Sequence, residues 1–472
     1  MIFTDRQIFL PISKTMQRLS SFICLLLIAY CSFSQQTHSV KEIQLTFEQK
    51  GHLLNTGQCF SKDDLWIVYD NRNLETAIPA NGTIGIVNTK TKEIRTIYST
   101  TNQSEYGPGV GAATFSPIEN KVLFIHGIRN ANKENPYTYA RRTGVAVSIN
   151  KPGIVEFLDA RNIIAPFTAG ALRGGTHAHS WSADGKWISF TYNDFIIDQL
   201  SKKDSAVKDI RVVAIMNNSK VVKVPDTTSQ ENNNGKMFSV VVTQVTDNPK
   251  RGSDEIDKAF DEGWIGINGY FKKNGKRQQR AIAFQGNVKD ENGKTKTEVF
   301  VVDMPEDISR AVPGCPLEGT ERMRPCVPAG VHQRRITFTE KGIIGPRFWL
   351  HATPDGKWIG FLSTDVNDVV QLFLVSPNGG KIRQLTHNAF SVSGPFNFSP
   401  DCKSVAYIAD NSIFITHLTN GISERLTAKS GESEKPVGPV VWSNNGKMLA
   451  YNRYIIENGN NPFLQVFILQ LQ

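Results

Sequence analysis

The stretch Gly174-Gly175-Thr176-His177-Ala178-His179-Ser180-Trp181-Ser182-Ala183-Asp184-Gly185-Lys186-Trp187-Ile188-Ser189-Phe190-Thr191-Tyr192-Asn193 carries both the repeating unit of the chain and its His-x-His pair. Its second half reads as a strand ending in Trp181-Ser182, a tight turn at Asp184-Gly185, and an alternating return strand from Trp187 to Phe190. That is the pattern of a β-hairpin. Its first half sets two imidazoles where the hairpin begins.

The same unit recurs on both sides. Phe60-Ser61-Lys62-Asp63 and Phe115-Ser116-Pro117 open earlier copies. Ala352-Thr353-Pro354-Asp355-Gly356-Lys357-Trp358, Phe398-Ser399-Pro400-Asp401-Cys402-Lys403 and Trp442-Ser443-Asn444-Asn445-Gly446-Lys447 open later ones. A degenerate unit surrounds Asn274-Gly275-Lys276 and ends in Ala281-Ile282-Ala283-Phe284. A second hairpin follows each unit, best seen from Val370 to Thr386. Four short strands every forty to sixty residues, roughly, is the signature of an all-β propeller. Six clear copies and the degenerate one predict seven four-stranded blades, with six as the alternative.

The chain ends in an apolar strand, Phe463-Leu464-Gln465-Val466-Phe467-Ile468-Leu469, with nothing after it to complete its blade. Near the start, Ile43-Gln44-Leu45-Thr46-Phe47 echoes Arg335-Ile336-Thr337-Phe338 and Gln384-Leu385-Thr386. Pairing the two ends would remove an exposed edge and close the ring.

Residues 1–34 read as a signal peptide. Arg18 precedes the apolar run Phe22-Ile23-Cys24-Leu25-Leu26-Leu27-Ile28-Ala29-Tyr30, and Ser32-Phe33-Ser34 offers a small-x-small cleavage site before Gln35. The run is too short to span a membrane. Met16 is an alternative start, and lipidation at Cys31 is the weaker reading because bulky Tyr30 precedes it. A free periplasmic or secreted protein is expected. Residues 41–472 then form one propeller, with insertions near 250–265 and 308–332. Ser253-Asp254-Glu255-Ile256 through Glu262-Gly263 reads as a short helix with a Ser cap and an acidic first turn.

Cysteine and charge are read in that light. Cys315 and Cys326 bracket a Pro- and Gly-containing loop, within the 311–331 insertion, of a length suited to a local disulfide in an oxidising compartment. Two free thiols are the alternative. No Cys-x-x-Cys is present, which argues against a thiolate zinc site. Loss of Arg6, Lys14, Arg18 and Asp5 with the leader takes the formal charge from +9 to +7. The charge is spread along the chain without a basic stripe, so no nucleic-acid partner is expected; a transmembrane span is absent from the mature chain, and a monomer is expected.

The repeats resemble the WD40-like units of TolB-type propellers, matching their Ser-Pro-Asp-Gly-Lys turn best from Pro354 to Lys357. A narrower likeness runs through Asp159-Ala160-Arg161-Asn162, Ala165-Pro166-Phe167-Thr168, the stretch from Gly170 to His179, and Gly252-Ser253-Asp254-Glu255-Ile256 through Glu262-Gly263-Trp264. These are similar to the YidR-like branch of exported propellers, a resemblance that implies a fold and no chemistry. Finally, Thr176-His177-Ala178-His179-Ser180-Trp181-Ser182 resembles the Thr-His-x-His-x-aromatic-Ser stretch of oligogalacturonate lyases, propellers with a manganese site. That resemblance implies His177 and His179 as metal ligands, with His351 or His126 as a further one. The family's glutamine ligand falls at Gly174 in this chain.

The residues also make their own case. In a regular strand, positions 177, 179 and 181 share one side, about 6.5–7 Å apart, so two imidazoles there can reach one divalent ion. The pair precedes the expected innermost strand, at the channel mouth. Arg161 and Arg173 enter the same blade and suit a carboxylate or sugar acid by bidentate pairing; structural pairing with Asp159 or another acid is the alternative. No nucleophile elbow, phosphate loop or dinucleotide fingerprint occurs. Two functions follow. The first is a noncatalytic envelope propeller that binds a protein or glycan partner and needs no cofactor, with Arg161, Arg173, His177 and His179 marking its ligand end. The second is a lyase or hydrolase of acidic oligosaccharides, using a divalent, manganese-like metal on His177, His179 and His351.

Overall fold

The computed structural model describes residues 40–346, 348–456 and 461–471; the expected signal peptide, residues 1–34, lies outside them. Antiparallel sheets follow one another along the chain as seven blades of a propeller. Blade 1 holds Trp66–Asp70, Thr83–Asn88 and Ile94–Ser99, with residues 53–60 attached inside by bridges from Leu53 to Asp70 and from Phe60 to Ile67. Blade 2 runs from Val110–Phe115 to Val155–Phe157, and blade 3 from Gly174–Trp181 to Phe238–Val241. Blade 4 runs from Ile256–Trp264 to His332–Arg335, blade 5 from His351–Ala352 to Arg383–Gln384, and blade 6 from Asn397–Phe398 to Ser423–Arg425. Blade 7 joins Pro436–Trp442, Met448–Ile455 and Phe463–Leu471 to the N-terminal strand Val40–Gln44.

The turn template has a hydrogen-bond basis. In five blades the Ser or Thr hydroxyl (Ser61, Ser182, Thr353, Ser399, Ser443) donates to the Asp or Asn two residues on, at 2.5–2.9 Å. The same oxygen accepts from the first backbone N–H of the return strand, as from Trp187 at 3.0 Å. The turn needs one left-handed residue, which is Gly185, Gly356 and Gly446 in three copies. Cys402 takes the same conformation, with φ 60°, in a fourth.

A second local device explains the echo at the chain start. Thr243, Thr337, Thr386 and Thr427 lie just beyond the outermost strands of blades 3 to 6. Each accepts, through its hydroxyl, a backbone N–H of the adjoining third strand at 2.8–3.1 Å. Thr46 accepts from Val466 N in the same way at 2.9 Å. The N-terminal strand pairs antiparallel with the C-terminal one, Val40 opposite Leu471 and Gln44 opposite Phe467. Leu45 and His52 then donate backbone N–H groups to Val466 and Leu464.

One sequence expectation is overturned. Residues 253–263 form no helix, and 250–265 is no insertion: Ile256–Trp264 is the innermost strand of blade 4. Its register shifts between Ile256 and Ala259 and again between Phe260 and Gly263. Buried Ile256, Ala259 and Phe260 therefore fall at i, i+3 and i+4, a helical period produced by a bulged strand. The degenerate Asn274-Gly275-Lys276 turn belongs to a small hairpin, Tyr270–Phe271 with Arg277–Gln278, between the first and second strands of that blade.

The 308–332 segment connects the third and fourth strands of blade 4, and Cys315 and Cys326 within it are joined by a disulfide with Cα atoms 5.6 Å apart. Cys59 and Cys402 are free. Among the described residues no helix is long and apolar enough to cross a membrane.

Two outcomes are expected. Deleting residues 40–48 should lower the unfolding temperature by about 10 °C or more, because it removes the buried Leu45 and Thr46 and leaves the Phe463–Leu471 strand as an open edge of blade 7; a calorimetric melt unchanged by the deletion would refute closure. Replacing Cys315 and Cys326 with serine should cost about 2–3 kcal/mol in a denaturant titration, from loss of a short closed loop.

Candidate functional site

The innermost strands surround a channel with two connected chambers. The entry chamber, where these strands begin, has a volume of about 680 Å³; the far chamber, toward their ends, has about 460 Å³. Asn55, Thr56, Ala178 and Trp349 line both.

The His-x-His pair lies within the innermost strand of blade 3, not before it. Nor do its members share a side. His177 pairs with Thr191 and Ser180 with Ser189, so Ala178 and His179 together face one residue, and Ala178 takes φ 57°. Such a bulge re-aims the next side chain. It recurs at Ala112 (φ 54°) in blade 2 and Asp261 (φ 53°) in blade 4, which makes Ala113, His179 and Glu262 structural equivalents.

His177 is half-buried in the wall of the entry chamber, with its ring edge-on to Tyr139 and Trp349 and no partner for Nδ1. Burial, with the nearby Arg142, Arg211 and Arg72, pushes its imidazole well below the ordinary value, so it is neutral at pH 7. His179 is buried, meets Thr176 Oγ1 at 2.9 Å and packs against Phe190. A Cβ on Gly144 of blade 2 would stand 2.6 Å from His179 Nε2, so the ring fills space that only glycine leaves open. His351 lines the far chamber, against Phe396. His126 is held by the Tyr98 hydroxyl, 2.8 Å from Nε2.

Among the described residues no three His, Cys, Asp or Glu side chains gather to hold a metal ion. With the bulge parting His177 from His179, and a glycine at 174, the donors do not fit a manganese site.

Arg161 and Arg173 are committed to the fold. Arg161 is fully buried, donates from Nε to Glu231 O at 2.9 Å and from Nη1 to Gly174 O at 2.8 Å, and faces the Glu231 carboxylate at 3.5 Å. Arg173 pairs with Asp194 at 2.8 Å and donates to the carbonyls of Thr320 and Met323. It thereby ties the disulfide loop to blade 3. The structural pairing considered for these arginines is real, but with Glu231 and Asp194. Asp159 instead accepts from Gly144 N and Thr143 Oγ1.

The uncommitted arginine is one that sequence reasoning passed over. Arg142, 2% exposed, lines the entry chamber with its guanidinium 4.8 Å from the Tyr139 ring centroid and 5.6 Å from that of Tyr137. Nη1 donates to Tyr137 Oη at 2.8 Å, while Nε and Nη2 have no partner. Arg72, in the same wall, is satisfied by Asp70 at 2.6 and 2.8 Å. A desolvated guanidinium with two open donors is primed for a carboxylate. Arg142 follows Arg141 in a stretch without a motif, and its neighbour is spent on Glu231; the sequence held no sign of which was free.

The far chamber has the opposite character. Glu262, 2% exposed, lines it with both carboxylate oxygens unpartnered. Burial pushes its carboxyl up to about 8, opposed by its own backbone N–H, with Asp261 raising it further and Arg211 lowering it. Reading residues 253–262 as a solvated helix hid it.

Comparison with known proteins agrees with the architecture. The family described as "Protein of unknown function (DUF3748)" matches residues 109–232. The chain is 36% identical over 415 residues to the uncharacterized protein YidR of Escherichia coli (strain K12), covering 86% of this chain and 94% of that one. A solved oligogalacturonate lyase in complex with manganese superposes with a TM-score of 0.51 at 10% identity, over 93% of this chain and 94% of the other. A putative TolB from Agrobacterium tumefaciens gives a TM-score of 0.39 at 14% identity, over 80% and 99%. The lyase likeness is one of fold.

Glu262 sets a pH dependence of stability. With its carboxyl raised from 4.5 to about 8, the folded protein keeps a proton that the unfolded chain has lost; that contribution is full below pH 4.5 and gone above 8. His177, His179 (about 3) and His351 (about 4) are shifted down, so their effect is the reverse and ends near pH 6.5. From pH 6.5 to 8 the protein should thus lose about 2 kcal/mol of stability, and Glu262→Gln should flatten that fall. Denaturant titrations at both pH values test it; an equal fall in the variant would place the titrating group elsewhere.

Proposed function

The chain belongs to the family of YidR, and from that premise we propose that it is an exported, noncatalytic propeller that binds a carboxylate-bearing glycan in the entry chamber of its channel. The observation that carries this reading is Arg142, which lines a chamber of about 680 Å³ beside Tyr137 and Tyr139 and whose buried Nε and Nη2 have no hydrogen-bond partner among the described residues. A volume of that size suits a short saccharide. Bidentate pairing with Arg142 selects a uronate carboxylate, and Tyr139 and Trp349 add aromatic lining beside it. Neutral His177 adds a hydrogen bond and no charge. A metal-dependent lyase, the other function the sequence allowed, is the less favoured reading, because among the described residues no three His, Cys, Asp or Glu side chains gather.

Calorimetric titration with a galacturonate trimer tests the proposal. Saturable binding is expected, weakened about tenfold or more in Arg142→Gln by loss of a charged hydrogen-bonded pair. His177→Ala should weaken it less. Affinity should stay flat from pH 5.5 to 8, because a guanidinium carries the charge and the imidazole does not titrate there. Binding unaffected by Arg142→Gln would reject the site, and unsaturated uronate appearing when manganese is added would replace binding by lyase chemistry.

A further inference from the structure

We propose that the far chamber is a second binding site, for an organic ammonium group, formed by the Glu262 carboxylate and a ring of tryptophans. Four indoles line it: Trp181 of blade 3, Trp264 of blade 4, Trp349 before blade 5 and Trp442 of blade 7. Indole faces attract cations more strongly than other side-chain rings, and aromatic cages are a known solution for alkylammonium ligands. Glu262 supplies the counter-charge that such a cage needs. Its position follows from the bulge at Asp261, which sets it where Ala113 stands in blade 2 and His179 in blade 3.

The unpartnered atoms mark the same chamber. Both Glu262 oxygens, His179 Nδ1 and His351 Nε2 lack partners among the described residues, and all three residues line it. A buried polar atom left without a partner costs about 1–3 kcal/mol, a cost that a ligand bearing N–H groups relieves. A bare metal ion is the poorer occupant, since no three of these donors gather around one point. An anion gains nothing from Glu262, whose only charged form is negative. The charged groups that act on Glu262 are Asp261 and Arg211, with burial the larger influence, and they leave it protonated at pH 7 in the empty chamber. A bound cation favours the carboxylate form, so binding must expel the proton. This site shares Trp349 with the Arg142 chamber but draws on a different charged group, Glu262, and does not depend on the binding proposed there.

The test is calorimetry on the signal-free chain with tetramethylammonium chloride and n-propylammonium chloride, at pH 7 in two buffers of different ionisation enthalpy. Sodium chloride and sodium propionate serve as comparisons. Saturable binding of the ammonium salts is expected, with about one proton released per cation. Glu262→Gln, which keeps the side-chain volume, should weaken binding about tenfold or more and abolish proton release. Should that variant fail to fold, proton release by the unaltered protein decides the matter. No saturable heat, binding without proton release, equal affinity in Glu262→Gln, or equal binding of propionate would each overturn the site.

Discussion

Everything in this molecule depends on the pairing of its two ends. A propeller blade buries its faces against two neighbours, so an incomplete blade leaves both an open strand edge and an uncovered core. Val40–Gln44 supplies the outer strand of blade 7, and Thr46 completes it with the same hydroxyl-to-backbone bond that ends four other blades. One buried cluster then runs from Ile468 of blade 7 through Ile86 of blade 1 to Phe115 of blade 2, continuous across the join. The ring is closed by hydrogen bonds between residues more than four hundred positions apart.

Closure fixes the inner strands, and their bulges decide what the channel contains. In blades 2, 3 and 4 the same left-handed residue interrupts the ladder and turns the next side chain. Where that side chain is Ala113, nothing follows chemically. Where it is His179 or Glu262, a buried polar atom (Nδ1, or the two carboxylate oxygens) is left without a hydrogen-bond partner among the described residues. The energy spent on such groups is recovered only if a ligand meets them.

Electrostatics divides the channel. Around the entry chamber burial, with Arg142, Arg211 and Arg72 nearby, keeps His177 neutral, and Arg142 has two nitrogens without a partner among the described residues. In the far chamber a buried carboxyl is kept protonated by its surroundings. Arginine cannot shed its charge, whereas a carboxyl can; Arg142 therefore stays cationic, while Glu262 becomes anionic only when it gives up its proton.

The sequence by itself determined the propeller and the strand that closes it, and favoured seven blades with six left open, because each rests on a local pattern repeated along the chain. The Ser-x-Asp-Gly turn and its left-handed glycine make their bonds within a few residues, and the Thr strand end recurs in register from blade to blade, so both can be read without a partner in view. Only the tertiary structure decided the site. Arg161 and Arg173 lost their candidacy to Glu231, Asp194 and the carbonyls of the disulfide loop, which lie 21 to 150 positions away. The His-x-His spacing lost its meaning to a bulge, since alternation of sides holds only while the ladder is regular. Arg142 and Glu262 gained theirs by what they lack: an open donor or an unpaired carboxylate is set by the partners that folding fails to bring, and no single stretch of sequence records it.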